Sequence, residues 1–309
     1  MWLLLVIASF LLSLLLVGLV KTWLSAQLLD IPNERSSHQQ PTPRGGGLGF
    51  LVAFGLTAGA ALIISQVAPT LLPPAQLQPH PWRLVLPLLP LAIAGYLDDR
   101  DGLPARRRYG VQLGAAALAI ASFGPLPGTE TLLPVARVTM IGLTAIAITA
   151  AINFYNFMDG LDGLVASSTA IQLACFALLL NQPLWWLLAA ALAGFLYWNW
   201  SPAKIFMGDA GSTILGASVA IAILNADTLV TAGSAALTTL PLIGDAVFTL
   251  TRRLLARENI FQAHRTHLYQ RLQQSGWSHA KVATLYMMLT ALSCQLAILV
   301  ARRYAVAAL

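Results

Sequence analysis

Several stretches of this sequence hold side chains whose types and spacing suit oxygen-rich, charged ligands. Asp98-Asp99-Arg100-Asp101-Gly102 sets adjacent carboxylates at the end of an apolar run. Such neighbours repel each other unless a proton or cation relieves them. Mg2+, bound through one or two carboxylates together with a substrate phosphate, is the natural hard cation there. In Asn153-Phe-Tyr-Asn156-Phe-Met-Asp159-Gly-Leu-Asp162-Gly163, polar oxygens recur at every third position with no basic residue between them. On a helix these four side chains drift slowly around one face, so their oxygens can converge on a metal or phosphate. Gly160 and Gly163 suit a tight turn. From Trp198 to Ser212, Asp209 with Ser212 three residues on has the pattern of an N-cap opening a helix, whose N-terminus is also an anion site. Phe206 is either an interface anchor or a surface on which a base stacks.

Two further stretches are basic. In His264-Arg265-Thr-His267-Leu-Tyr-Gln-Arg271 the histidines are close enough on a helix to share a ligand. A zinc site would need a third protein ligand nearby, so pyrophosphate binding with Arg265 and Arg271 is the better expectation. The stretch from Asp30 to Gly47 contains His38 and ends Pro-Thr-Pro-Arg44-Gly-Gly-Gly. Its glycines serve close approach to a ligand or close helix packing, and Arg44 can pair with a phosphate. Arg106-Arg107-Arg108 is expected to set membrane orientation.

The elements that position these groups are apolar. The chain of 309 residues is 57% hydrophobic and 10% charged, against about 25% charged in an ordinary soluble domain. Its mean hydropathy is +0.72. This composition excludes a disordered chain, a nucleic-acid reader and a water-soluble enzyme with one compact core. Cys175 and Cys294 lie in apolar runs and are expected to be buried packing residues. A spanning helix needs about 20 apolar residues. Candidate runs are 2–20 (a first span rather than a signal peptide), 48–67, 83–97, 110–123, 138–152, 164–180, 184–200, 213–226, 232–250 and 282–300. The fold expected is therefore all-α: one polytopic membrane domain over residues 1–309, with about ten transmembrane helices and cytoplasmic catalytic loops. The connections after the odd-numbered runs carry 14 of the 18 Lys and Arg, which places them in the cytoplasm and both termini outside it. In or beside them lie 10 of the 12 acidic residues and four of the five histidines, among them His279. Acids contribute little to orientation, so this bias points to a site on that face.

Taken together, the five connections resemble the polyprenyl-phosphate N-acetylhexosamine-1-phosphate transferase family. These bacterial membrane enzymes start O-antigen, teichoic acid and peptidoglycan lipid intermediates. The likeness covers nearly the whole chain, through Asp-Ile-Pro-Asn with Pro-Thr-Pro-Arg-Gly-Gly, Asp98-Asp99, Asn153 to Gly163, Asn199 to Ser212 and the histidine loop. It implies transfer of a sugar-1-phosphate from a UDP-N-acetylhexosamine to undecaprenyl phosphate in the inner membrane, with release of UMP. It implies Mg2+, with Mn2+ as a substitute, on Asp209 beside Asn156. Asp98 and Asp99 would engage the lipid phosphate, and Asp159 and Asp162 match the next acidic pair. Asn199 and Phe206 would line the uridine pocket, with Gly163 in the neighbouring turn. His264 and His267 match the histidine motif of the last connection; the charges of Lys204 and Arg265, with the histidines, are expected to screen the pyrophosphate. A second copy of the chain is a candidate partner; nucleic acid is not. The peptidoglycan branch carries a run of adjacent histidines, whereas Arg265 and Thr266 separate two here, as in the surface-polysaccharide branch. A lipid phosphate is mostly dianionic at neutral pH, its second pKa being about 6, so an Asp98 base has little to do; a covalent route through Asp98 or Asp99 stays open. The rival class is an ion-coupled secondary transporter, which needs an acid near the bilayer midplane, and Asp245 late in the ninth run is its one candidate.

Overall fold

The computed structural model describes residues 1–24, 28–32, 40–259, 262 and 264–307. His38, Glu34 and Arg35 lie outside the described residues. The described chain is all-α apart from a two-stranded antiparallel pair, β1 (Leu29–Asp30) and β2 (Thr42–Pro43). Its helices are α1 (Trp2–Leu24), α2 (Gly46–Val67), α3 (Pro81–Asp101), α4 (Ala105–Phe123), α5 (Pro134–Met158), α6 (Leu164–Leu179) and α7 (Trp185–Asn199). There follow α8 (Gly208–Leu224), α9 (Leu229–Leu237), α10 (Leu240–Leu255), α11 (Leu268–Gln274) and α12 (His279–Ala307).

Every apolar run of the sequence is helical, and the ninth is split into α9 and α10, bent by 74°. Among the described residues, length and composition support fewer spans than the ten expected. Four helices, α1, α2, α5 and α12, are long and apolar enough to cross a membrane, and the bent α9–α10 pair makes a fifth. The others fall short for physical reasons. Helices α6, α7 and α8 have 16, 15 and 17 residues, so they rise only about 22–26 Å against a hydrocarbon core of about 30 Å. Helix α3 ends in four charged residues, and α4 begins with Arg106, Arg107 and Arg108 in its first turn.

Helix α8 is the hub. It is apolar all round and buried from Ala210 to Val219, as a helix surrounded by other helices must be. Small residues let its neighbours reach its backbone. A Cβ on Gly47 of α2 would lie 2.6 Å from the Gly211 nitrogen, and one on Gly95 of α3 would collide with the Ala210 backbone. On α8 itself, a Cβ on Gly216 would lie 2.6 Å from the Ala151 carbonyl of α5. Gly46 and Gly47, which open α2, therefore serve helix packing. Gly46 and Gly47 donate their N–H groups to the Phe206 and Met207 carbonyls, both at 2.9 Å.

The bundle has two distinct ends. At one, Gln182 Nε2 donates to the Ala222 and Asn225 carbonyls at 3.1 and 2.8 Å, and Leu184 N–H reaches the Gln78 carbonyl. At the other, Phe206 N–H donates to Pro43 at 2.8 Å, Ala203 N–H to Asp162 at 3.1 Å, and Tyr269 Oη–H to the Phe157 carbonyl at 3.0 Å. The connections that carry the acids and histidines meet at this second end.

Candidate active site

A cavity of about 380 Å3 opens at that end. Asp98 from α3, Arg108 from α4, Asn153 and Asn156 from α5, Asp209 from α8, and His264 and His267 before α11 all line it. Asn156 donates through Nδ2 to Asp209 Oδ1 and to Ser212 Oγ, both at 3.0 Å. Arg108 Nη1 lies 2.9 Å from Asp98 Oδ2 and 3.8 Å from Asp209 Oδ2, one cation shared by two carboxylates. Asp98 also accepts the Leu103 N–H at 2.5 Å. Behind them, the amide of Asn153 donates to Gln112 Oε1 at 2.7 Å, and both residues line the wall.

Electrostatically this is a set of crowded acids. Burial, then the hydrogen-bonded Asp98 and the charge of Asp99, push Asp209 up to about 7. Burial opposes ionisation of Asp98, but the bond from Asp209, the Leu103 N–H and Arg108 hold it below the ordinary carboxylate range. Burial, reinforced by the charges of Asp209 and Asp99, pushes Asp159 up to about 8. Asp209 stands ahead of the apolar run of α8, Asp98 after that of α3 and Asp159 after the end of α5. Carboxylates that hold protons against each other are a donor set that a divalent cation relieves. Among the described residues, no three of His, Cys, Asp and Glu close into a ready cage. Mg2+ takes one or two carboxylates and leaves its other positions to water and phosphate. Asp209, Asp98 and the amide of Asn156 fit it.

Asp99 has a different task. Its Oδ1 and Oδ2 accept the N–H groups of Asp209 at 3.0 Å and Ala210 at 3.3 Å, so a side chain of α3 caps α8. Met207 is the cap residue in sequence and supplies no side-chain bond. The expected cap by Asp209 and Ser212 is therefore replaced by one in trans. Gly208 is held at φ 74, and a Cβ there would strike the Asp99 carboxylate. Losing a cap costs about 1 kcal/mol. Asp99→Ala is expected to lower stability by about that amount, read from thermal unfolding in detergent, with Asp209 released from its fixed position.

The histidines divide. His267 is buried, and its Nδ1 lies 3.3 Å from Asp245 Oδ1. His264 is half-buried and bonds Thr266 Oγ1 through Nδ1 at 3.1 Å. Burial, then the charges of Arg253 and His267, push His264 down to about 4. Between that value and the ordinary 6.5, the unfolded chain binds a proton that the folded site refuses, so stability falls as pH drops through this window. The unfolding temperature of His264→Gln is expected to vary less between pH 6.5 and pH 4 than that of the unaltered protein.

Comparison with known proteins bears on this geometry. The family described as "Glycosyl transferase family 4" matches residues 82–227. The chain is 29% identical over 297 residues to a "Probable undecaprenyl-phosphate N-acetylglucosaminyl 1-phosphate transferase" of Bacillus subtilis, covering 89% of this chain and 79% of the relative. It is 30% identical over 294 residues to the "Decaprenyl-phosphate N-acetylglucosaminephosphotransferase" of Mycobacterium tuberculosis, covering 81% and 70%. The chain belongs to glycosyl transferase family 4. Another relative is the "Phospho-N-acetylmuramoyl-pentapeptide-transferase" of Clostridium beijerinckii, 30% identical over 290 residues, covering 84% of this chain and 82% of that one.

In this family 4 member, Asp98, Asn156, Asp209, His264 and His267 are brought together along the cavity wall. Other expected site residues do not line it. Helix α5 stops at Met158, so the three-residue period of Asn153 and Asn156 does not carry on to Asp159 and Asp162. Asp162 is a brace, pairing with His279 Nδ1 at 3.2 Å and accepting the Ala203 N–H. Burial opposes this, but the His279 bond and charge keep Asp162 below its usual range. Asn199 is buried, accepting from Gly163 N–H and donating to the Ile205 carbonyl, both at 3.0 Å. Gly163 opens α6 at φ 73, against the ring of Trp200. Phe206 bonds the first connection through its backbone. Lys204 lies over the rings of Tyr197 and Trp198, 5.3 and 5.7 Å from their centroids, and does not line the cavity. The Arg265 carbonyl accepts from Gln274 at 2.9 Å. Arg44 pairs with Asp30 at 2.8 Å, within reach of the fields of Asp99 and Asp209. Sequence reasoning missed Arg108, which it treated as a topology signal, and the Gln112–Asn153 amide pair, which no local pattern marks.

Proposed function

We propose that this protein transfers an N-acetylhexosamine-1-phosphate from a UDP-sugar to undecaprenyl phosphate, giving the lipid diphosphate sugar and UMP. We place this step at the cytoplasmic face of the inner membrane, where it starts a surface polysaccharide such as O-antigen. The observation that carries this reading is the meeting of Asp98, Asn156 and Asp209, from three separate connections, under Arg108 at one cavity. A volume of about 380 Å3 lies in the range of ligand pockets, about 300–1,000 Å3. The named activities of the relatives and the two separated histidines support the same reading. Ten crossings, with α9–α10 as the bent ninth, would put all five polar connections in the cytoplasm.

Two anions must meet, so catalysis is positioning and charge neutralisation. Mg2+ or Mn2+, held by Asp209, Asn156 and Asp98, would supply positive charge to the pyrophosphate. The lipid phosphate attacks the β-phosphorus with one oxygen; the bond from that phosphorus to the bridging oxygen breaks, and UMP leaves with the electron pair. The attacking phosphate brings no proton that must be removed, and Asp98, held below the ordinary range, is a poor base. Arg108, His264 and His267 face the cavity and screen the remaining charge. A coupling carboxylate in a transporter must exchange its ion, whereas Asp245 is held by donors from Leu268, Tyr269, Thr249, His267 and Tyr286. The test uses membranes, undecaprenyl phosphate and a panel of UDP-sugars labelled with 32P on the β-phosphate. Lipid-soluble label that depends on Mg2+, with one N-acetylhexosamine preferred, is expected; no label from any sugar would overturn the proposal.

A further inference from the structure

We infer that Asp245 is a positioning residue for His267, setting the imidazole so that Nε2 meets the phosphates of the sugar donor; this deepens the transferase reading and rests on it. Asp245 lies in α10, 22 positions before His267. Its Oδ1 accepts from Leu268 N–H at 2.9 Å and Thr249 Oγ1 at 3.1 Å, and meets His267 Nδ1 at 3.3 Å. Its Oδ2 accepts from Tyr269 N–H at 3.0 Å and from the Tyr286 hydroxyl at 2.6 Å. A carboxylate that accepts from all these donors has no proton to give, so the proton on the facing imidazole nitrogen sits on Nδ1.

Everything else around His267 keeps that ring still. It stacks on Tyr269 with centroids 5.7 Å apart and lies 5.0 Å from the His264 ring. Its backbone N–H donates to Gln270 Oε1, and Arg252 Nη2 holds the preceding carbonyl at 3.0 Å. The side chains of Asp245 and His267 are 1% and 4% exposed, yet His267 lines the cavity. With Nδ1 directed at Asp245, Nε2 is the ring nitrogen left for a ligand. The two N–H groups of the first turn of α11 fix the ring to the backbone that Asp245 also grips. A carboxylate that orients an imidazole is a positioning device independent of what the imidazole then touches.

The experiment combines a double-mutant cycle with a spectroscopic readout on the full chain in detergent. Asp245→Asn is expected to lower kcat about 10- to 100-fold with a smaller change in KM for the UDP-sugar. In a His267→Gln background the same substitution is expected to cost less than about 2-fold more, because it acts through the ring already removed. Losses that multiply would overturn the inference and leave Asp245 as a cap of α11 alone. In unaltered protein labelled with 15N-histidine, His267 is expected to carry its proton on Nδ1; an Nε2–H tautomer would overturn it even if the variants fail to fold. Should the unaltered protein transfer no sugar phosphate, the transferase reading falls, and the tautomer still decides whether Asp245 orients the ring.

Discussion

Asp209→Asn is expected to lower transfer of labelled sugar phosphate to the lipid by at least about 100-fold. Asparagine keeps the size of the side chain and leaves the backbone bonds to Asp99 in place, so α8 stays capped. What it removes is the charge that meets Asp98, Arg108 and Asn156 at the mouth of the cavity. A reaction that brings two phosphates together depends on that charge arrangement more than on any single proton transfer. Initial rates in detergent-solubilised membranes, with unfolding temperature as the control, measure it. Rates within about 3-fold of the unaltered protein, well under 1 kcal/mol, would place Asp209 outside the reacting centre.

The second large effect concerns packing. Gly95→Val is expected to lower stability by about 3 kcal/mol, the upper part of the overpacking range, and to abolish transfer. The new Cβ would meet the backbone nitrogen and Cα of Ala210, which cannot swing aside as a side chain would. Helices α3 and α8 must then part, and with them go Asp98, Asp99 and Asp209, which those helices hold together. Gly114→Ala in α4 is the control, since its Cβ would enter open space; it is expected to raise stability by about 0.5–1 kcal/mol through helix propensity. Unfolding temperatures of the two variants separate crowding from the general loss of a glycine.

Much of this architecture is legible in the sequence, because an apolar run must become a helix wherever water cannot satisfy its backbone. The polar connections are legible too, since acids beside a bilayer call for partners. What stays hidden is which groups pair across connections far apart in the chain. The spacing of Asp209 and Ser212 suggests a local cap, but the oxygens that cap α8 come from Asp99, more than a hundred residues earlier. Asp245 looks like an acid stranded in an apolar run, and only tertiary contact shows it bound to the start of α11. Arg108 belongs equally well to a topology signal or a site until α4 is laid beside α3. The period through Asn153 and Asn156 overreaches for a local reason: Gly160 follows where a Cβ would strike the Tyr269 hydroxyl, and the helix has already ended. Crossing number is equally tertiary, since length alone does not say whether a helix as short as α7 crosses.

The most direct measurement is a titration of the purified protein with Mn2+, followed by electron paramagnetic resonance of free and bound metal. One bound Mn2+ per chain is expected, competed by Mg2+ and weakened at least about 10-fold in both Asp98→Asn and Asp209→Asn, although these residues stand on different helices. Equal binding in either variant, or a metal lost in one and untouched in the other, would mean that the two carboxylates do not share a centre.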